Sequence, residues 1–419
     1  MTRRKFALGG AALAAGAVVL SRPYDHGTGG HDAYFNGLSA ALREAGIACP
    51  TLVIDRARLN TNIAAVKGVI GPSGHATRVV AKSLPSFKLL DAVMTGVGTD
   101  RAMVFNGATL EQVGAARPDA DLLLGKPLPA LEVSAFVQRH ATDAHPAARP
   151  QFLVDSALRL RQITDIARAH GTKIRINFEI DVGLHRGGFA TDADLAEAVD
   201  LAAAETLIEP CGLMGYDPHV VKVPMRDRAL AEVHRRYAAC RQILHEKLQA
   251  DPRTMTYNTA GSPTYHLHLD DPNANELALG SGFVKPGDFD LPTLSAHVPA
   301  AFIATPVIKA AGETRIPGLE FAAPLMNFWN RNMARTWFIY GGHWLAKPVS
   351  PRGLAYNAIF GRSSNQEMLN GSMSVRLAQD DYVFLRPDQS EAVFLQFGDL
   401  AVFDGGKITE RWPTFPVSA

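Results

Sequence analysis

A closed (β/α)8 barrel of the TIM type, followed by a C-terminal antiparallel β domain, is the fold class the sequence predicts. Three observations predict it. From Thr51 to about Gly287 short apolar segments alternate with stretches of helical spacing. About eight such units occur in succession, the number that closes a parallel barrel. Beyond Gly287 the helical spacing fades and apolar and polar residues alternate one by one, the signature of antiparallel strands. A doubly wound open sheet is the runner-up, because it is built from the same units.

The N-terminus comes first. Arg3 and Arg4 precede Lys5, Phe6 and Leu8, and an apolar run continues to Leu20 with no acidic residue before Asp25. The run is shorter than the roughly 20 residues a bilayer span needs. Paired arginines before a mildly apolar core are similar to a twin-arginine signal, which carries folded proteins across the inner membrane. Residues 1–21 are therefore expected to be an export segment that engages the twin-arginine machinery and delivers the protein to the periplasm; a short buried or anchoring helix is the other reading. No A-x-A site follows the core, so an uncleaved membrane tether stays open. Replacing both arginines with lysine is expected to abolish export. Fractionation that still finds the double variant in the periplasm or membrane would contradict this.

The candidate strands are TLVID (51–55), VVAK (79–82), AMVF (102–105), DLLLG (121–125), QFLVD (151–155), KIRINFEID (173–181), CGLMGY (211–216) and MTYNTA (255–260). Between them, Ala157 to His170 reads as a helix with Leu158, Ile163 and Ile166 apolar, and Arg226 to Leu248 as a long one. RTWFIY, SVRLA, DYVFL, EAVFLQF and LAVFDGG read as later strands. The expected domains are a barrel over 50–286 and a β domain over 287–419, joined by part of 22–49.

Composition excludes several classes. Hydrophobic residues make up 47% and charged residues 20%, which is ordinary for a globular protein. A net charge of +1, with no basic block interleaved with aromatics, argues against a nucleic-acid partner and for a small-molecule substrate. Cys49, Cys211 and Cys240 are widely spaced, without a CxxC pair, and are expected to be buried thiols.

Barrel enzymes work at the C-terminal ends of their strands. Lys82 ends the apolar run RVVAK, a setting expected to desolvate its amine and favour the neutral nucleophile. TAGSPTY (259–265) follows a strand, and its Gly261, Ser262 and Thr264 suit a turn that aims backbone N–H groups at a phosphate. NFEIDVGLHRGGF (177–189) closes another strand with Glu179, Asp181, His185 and Arg186, and GYDPHV adds Tyr216, Asp217 and His219. Singly, each is as readily an ordinary turn, core or surface residue. Together, a lysine, a phosphate turn and a charged loop at strand ends fit pyridoxal 5′-phosphate held as a Schiff base.

TLVIDRARLNTNI, RVVAKS, FEIDVGLHRGGF, GLMGYDPH and NTAGSPTY, in this order and spacing, resemble the fold-type III pyridoxal-phosphate enzymes of the alanine racemase N-terminal type, and among them the D-threonine aldolase and D-serine dehydratase branch. The resemblance covers about Pro50 to Val284, with AKPVSP and the terminal DGGKITERWP supporting it. It implies that Lys82 bonds the cofactor, that Arg186 sits near the phenolic oxygen, that Tyr216 lies beside the ring, and that Gly261 with Ser262 holds the phosphate. It also implies a homodimer and a lyase acting on D-amino acids, most of all D-β-hydroxy amino acids, by retro-aldol cleavage or by dehydration and deamination. Lys82, with His185 or His219, is the candidate proton carrier. A metal-independent amino-acid racemase, or a non-catalytic cofactor or amino-acid binding protein, are the alternatives.

One departure stands out. In that branch a histidine and, two residues on, a cysteine or aspartate hold a divalent ion; here Gln389 and Glu391 occupy those positions. An amide is a weak ligand, so loss of the transition-metal site is expected, with Gln389 and Glu391 contacting substrate directly. A hard ion on Glu391 and waters would bind weakly.

Overall fold

The computed structural model describes residues 22–417, so the segment expected to direct export lies outside the described residues. The chain divides into two compact units: residues 54–301, 389–402 and 411 onward form one, and residues up to 53, 302–388 and 403–410 form the other.

TLVID is a strand, β1 (Thr51–Asp55), but the closed barrel starts with the next one. Its eight strands are β2 (Ala76–Val80), β3 (Arg101–Val104), β4 (Asp121–Leu124), β5 (Gln151–Val154), β6 (Ile174–Glu179), β7 (Ile208–Met214), β8 (Thr256–Thr259) and β9 (Glu276–Leu279). Neighbours pair in parallel, and β9 closes on β2 with Ala76 opposite Glu276. The fold class expected from the sequence holds, with one strand exchanged. β9 is four residues long and starts on a carboxylate, which hides it from a search for apolar runs.

That carboxylate is buried because it is paired. Arg78 and Glu276 have fully buried side chains and form a two-pronged ion pair, the second contact at 2.9 Å. Arg78 also donates to Asp121 Oδ2 at 2.8 Å and to the carbonyls of Ala102 and Asp121, so its guanidinium is fully used. Arg101 and Asn258 donate to Glu276 at 2.7 Å each, and Asn177 donates to Gln151, which donates to Thr256 and Asp121. A polar network of this kind fills the barrel interior without orphaned charge.

The outer helices are delimited by their caps. Asp55, Asn106, Ser156 and Thr191 each accept from a backbone N–H in the first turn of the helix that follows, relieving its unpaired donors. Helix Ala157–His170 buries Leu160, Ile163, Thr164 and Ala167, spaced three or four apart, while Leu158 faces solvent. The expected face on Leu158, Ile163 and Ile166 is therefore rotated. Helix Arg226–Leu248 spans the expected residues and buries Val233, Tyr237, Cys240 and Leu244. Cys211 and Cys240 are buried free thiols; Cys49 is free but exposed, against expectation.

In the other unit, β10 (Ala301–Ala311), β11 (Arg335–Tyr340), β12 (Ala346–Ser350), β13 (Ala355–Tyr356), β14 (Gln366–Gly371) and β15 (Tyr382–Pro387) pair antiparallel. Trp337 is fully buried there and donates Nε1–H to the Leu377 carbonyl at 2.9 Å. Helix Ala33–Glu44 packs Phe35 on Phe384, with ring centres 4.8 Å apart. Two expected strands differ: SVRLA is irregular, and EAVFLQF is a short helix, Ser390–Phe394, continued by a turn. Its buried residues Ser390, Val393 and Phe394 share one helical face, which outweighs the alternation. LAVFD forms β16 (Asp399–Asp404), and Lys407–Pro413 forms β17.

Candidate active site

Several barrel strands end around one cavity of about 550 Å3, part of it open to solvent. Lys82, Arg186, Tyr216, Gly261, Ser262 and Glu391 all line it. Val80, Met103, Phe105 and Met214 supply apolar walls.

Lys82 sits in the turn Ala81–Ser83 directly after β2, and its amine lies 4.8 Å from the centre of the Phe105 ring. Glu391 Oε1 is 3.4 Å from Lys82 Nζ, and 40% of each side chain is accessible. The expected desolvated lysine is thus a half-exposed one beside a carboxylate. Ser281 Oγ donates to Ser83 Oγ at 3.0 Å, and Ser83 Oγ donates to the same Glu391 oxygen at 3.0 Å. This chain of hydroxyls fixes the carboxylate next to the amine.

The cavity floor is built from backbone. Ser262 Oγ accepts from Gly280 N at 3.1 Å and from Gly282 N at 2.9 Å, tying the turn after β8 to the turn after β9. A Cβ on Gly261 would lie 2.5 Å from the Tyr216 ring, and one on Gly280 would lie 2.7 Å from the Val80 carbonyl oxygen. Neither neighbour can give way, so backbone itself borders the cavity at both places. Ser262→Ala would leave two buried N–H groups without an acceptor. Such a variant is expected to be about 1–3 kcal/mol less stable and to lose cofactor more readily, as measured by denaturant unfolding and by dialysis of the loaded protein.

Arg186 places its guanidinium 4.9 Å from the centre of the Tyr216 ring. Burial pushes the Tyr216 phenol up, with Arg186 offsetting part of the rise, so the phenol keeps its proton and remains a donor at neutral pH. Burial likewise raises the Glu179 carboxyl, again opposed by Arg186.

His185 and His219 are not among the residues that line the cavity. His185 projects into solvent, 82% exposed, with Nδ1 2.8 Å from Asp181 Oδ2. His219 is half-buried against Gly183, and its Nδ1 is buried without a hydrogen-bond partner. Gln389 turns away to donate to Asp288 Oδ2 at 3.1 Å, leaving Glu391 the one carboxylate on the cavity wall among the described residues. Ser83, Phe105, Gly280 and Ser281 escaped the sequence reading. Ser83 adjoins Lys82, and the GSG that follows β9 repeats the small-residue pattern of the turn after β8.

These residues fit pyridoxal phosphate on structural grounds. The cavity offers a primary amine, apolar walls for an aromatic ring, a guanidinium, and a glycine-serine floor of backbone and hydroxyl groups suited to a phosphate. They do not fit the branch's transition metal, because Gln389 and Glu391 do not converge and, among the described residues, neither imidazole nor thiolate lines the cavity.

Fold and site together define a closed barrel whose strand-end cavity is lined by a lysine, an arginine and a glycine-serine floor. A model of the alanine racemase N-terminal domain matches residues 54–285, and the chain belongs to this family of fold-type III pyridoxal-phosphate enzymes. No curated protein matches the chain by sequence. Among solved structures, it is similar to D-threonine aldolase from Filomicrobium marinum (16% identity, 87% of this chain and 96% of that one, TM-score 0.71). It is also similar to D-threo-3-hydroxyaspartate dehydratase from Delftia sp. HT23 (16% identity, 88% and 98% covered, TM-score 0.68). A third is alanine racemase from Bacillus anthracis (13% identity, 87% and 98% covered, TM-score 0.66). At these identities the likeness is one of fold.

Proposed function

We propose that the protein is a pyridoxal-phosphate-dependent lyase of D-amino acids, acting on D-β-hydroxy amino acids by retro-aldol cleavage or by dehydration and deamination. The observation that carries this reading is the pairing of Lys82 with Glu391, 3.4 Å apart, inside a cavity floored by the Ser262 turn. When bound, the cofactor supplies an electron sink for a bond broken at or next to Cα. Ser262 and the backbone of the two turns would hold the phosphate, and Arg186 and Tyr216 would hold the ring.

Lys82 is the attachment point. With its amine free, Lys82 would serve as the base on its own side of the cavity, taking the Cα proton or a β-hydroxyl proton of the substrate. Glu391 orients the substrate. Lys82 and Ser83 both contact its Oε1, which leaves Oε2 to accept from a β-hydroxyl. With no imidazole or thiolate donor on the cavity wall among the described residues, orientation of that hydroxyl falls to this carboxylate rather than to a transition metal.

Racemisation is the second reading: Gln389 and Glu391 stand where a metal would grip the substrate hydroxyl, which weakens hydroxyl elimination, and an alanine racemase is among the structures of similar fold. Incubation with D-threonine, D-serine and D-alanine separates the readings. Release of an aldehyde or keto acid supports the lyase. Conversion of D-alanine to its enantiomer without any carbonyl product supports the racemase and overturns the lyase. Bound cofactor whose spectrum no amino acid changes would identify a binding protein and overturn both.

A further inference from the structure

Away from the cavity, helix Arg226–Leu248 and the segment after β8 bring together His234, His268 and Asp271. His234 Nε2 lies 3.3 Å from His268 Nδ1, and each of these nitrogens lies 3.7 Å from Asp271 Oδ2. The side chains of His268 and Asp271 are fully buried, whereas that of His234 is 31% exposed. Asp271 Oδ1 accepts from the backbone and side-chain nitrogens of Asn273 at 3.0 Å. Its other oxygen, Oδ2, is buried with no hydrogen-bond partner and points at the two imidazoles. A buried carboxylate oxygen in that state is costly unless a positive charge faces it, and either a proton on His268 or a metal ion in that proton's place supplies one.

The triangle has the dimensions of a metal site. Its centre lies about 2.1 Å from all three atoms, the bond length zinc makes to histidine nitrogen and carboxylate oxygen. His268 is also oriented for ligation. Its Nε2–H donates to Asp217 Oδ2 at 2.7 Å, which leaves the Nδ1 lone pair for a cation and raises its basicity, as outer carboxylates do for ligating histidines. Two imidazoles and a carboxylate select a borderline cation over magnesium or calcium, which take oxygen donors. The exposed edge of His234 leaves a route for the ion and a place for a water as fourth ligand.

We propose that His234, His268 and Asp271 bind one divalent cation of the zinc class, with Asp217 as the positioning residue for His268. The site is separate from the cavity and independent of the reaction assigned to it. Its role is structural. Asp217 Oδ1 also accepts from Thr264 Oγ1 at 2.7 Å, and Thr264 Oγ1 accepts from Gly261 N at 3.1 Å, so the cation braces the turn that floors the cavity.

The test uses the full-length, untagged, cofactor-loaded protein, stripped with chelator and then dialysed against zinc or cobalt. One zinc equivalent per chain, a raised melting temperature and cobalt d–d absorption bands are expected. Asp217→Asn is expected to weaken zinc binding about 10- to 100-fold, and His234→Ala further still, since it removes a ligand. His234 is partly exposed, so its variant should keep the wild-type circular dichroism, and Glu391→Gln should keep its zinc. Absence of bound metal after reconstitution would overturn the proposal, as would zinc retained by His234→Ala or lost from Glu391→Gln.

Discussion

Replacement of Lys82 by alanine is expected to lower turnover of the amino-acid substrate about 10³-fold, the scale on which a positioned general base acts. Among the described residues, Lys82 is the only lysine that lines the cavity. The variant therefore loses both the covalent attachment point and the base, and no neighbour replaces either. Cofactor should still enter, because Ser262, Gly280 and Gly282 are untouched. Turnover and bound cofactor measured on the same preparation check this. A Lys82→Ala protein that kept a tenth of wild-type turnover would contradict the assignment.

The largest stability effect is expected inside the barrel. Glu276 receives two contacts from Arg78, one from Arg101 and one from Asn258, all without access to water on the carboxylate side chain. Glu276→Gln removes the charge and leaves the buried guanidinium of Arg78 undercompensated, which should cost about 3–5 kcal/mol in urea unfolding. Substituting both members, Arg78→Met with Glu276→Leu, should recover part of the loss, because the penalty comes from the unpaired charge rather than from the absence of the pair. The exposed pair Arg139 and Glu111 is the control, and breaking it should cost less than about 1 kcal/mol. A Glu276→Gln cost as small as the control's would contradict this account of the barrel interior.

The same network explains what was legible in the sequence. Strands with apolar runs, such as RVVAK and DLLLG, announce themselves, because burial on both faces demands such residues. β9 does not, because its first residue is a carboxylate whose partner, Arg78, lies 198 positions earlier. Pairing over that distance leaves no local pattern. Helix Arg226–Leu248 was legible to its ends, whereas EAVFLQF misled, since seven residues with adjacent Val393 and Phe394 suit either periodicity.

In the site, Lys82, Arg186, Tyr216, Gly261 and Ser262 were readable as strand-end residues in ordered motifs, and the cavity collects all five. His185 and His219 have suitable chemistry but carry no positional signal in the sequence. Nothing in a sequence indicates that the Asp181 carboxylate holds His185 out in solvent, or that Gln389 would pair with Asp288 while Glu391, two residues on, turns to the lysine. Those outcomes depend on a helix of five residues whose buried face is Ser390, Val393 and Phe394.

Covalent attachment of pyridoxal phosphate to Lys82 is the claim on which the functional reading rests, and borohydride reduction of the loaded protein followed by peptide mass mapping tests it most directly. The account predicts a single pyridoxyl label on the peptide that contains Lys82. Label on another lysine, or none at all, would contradict it.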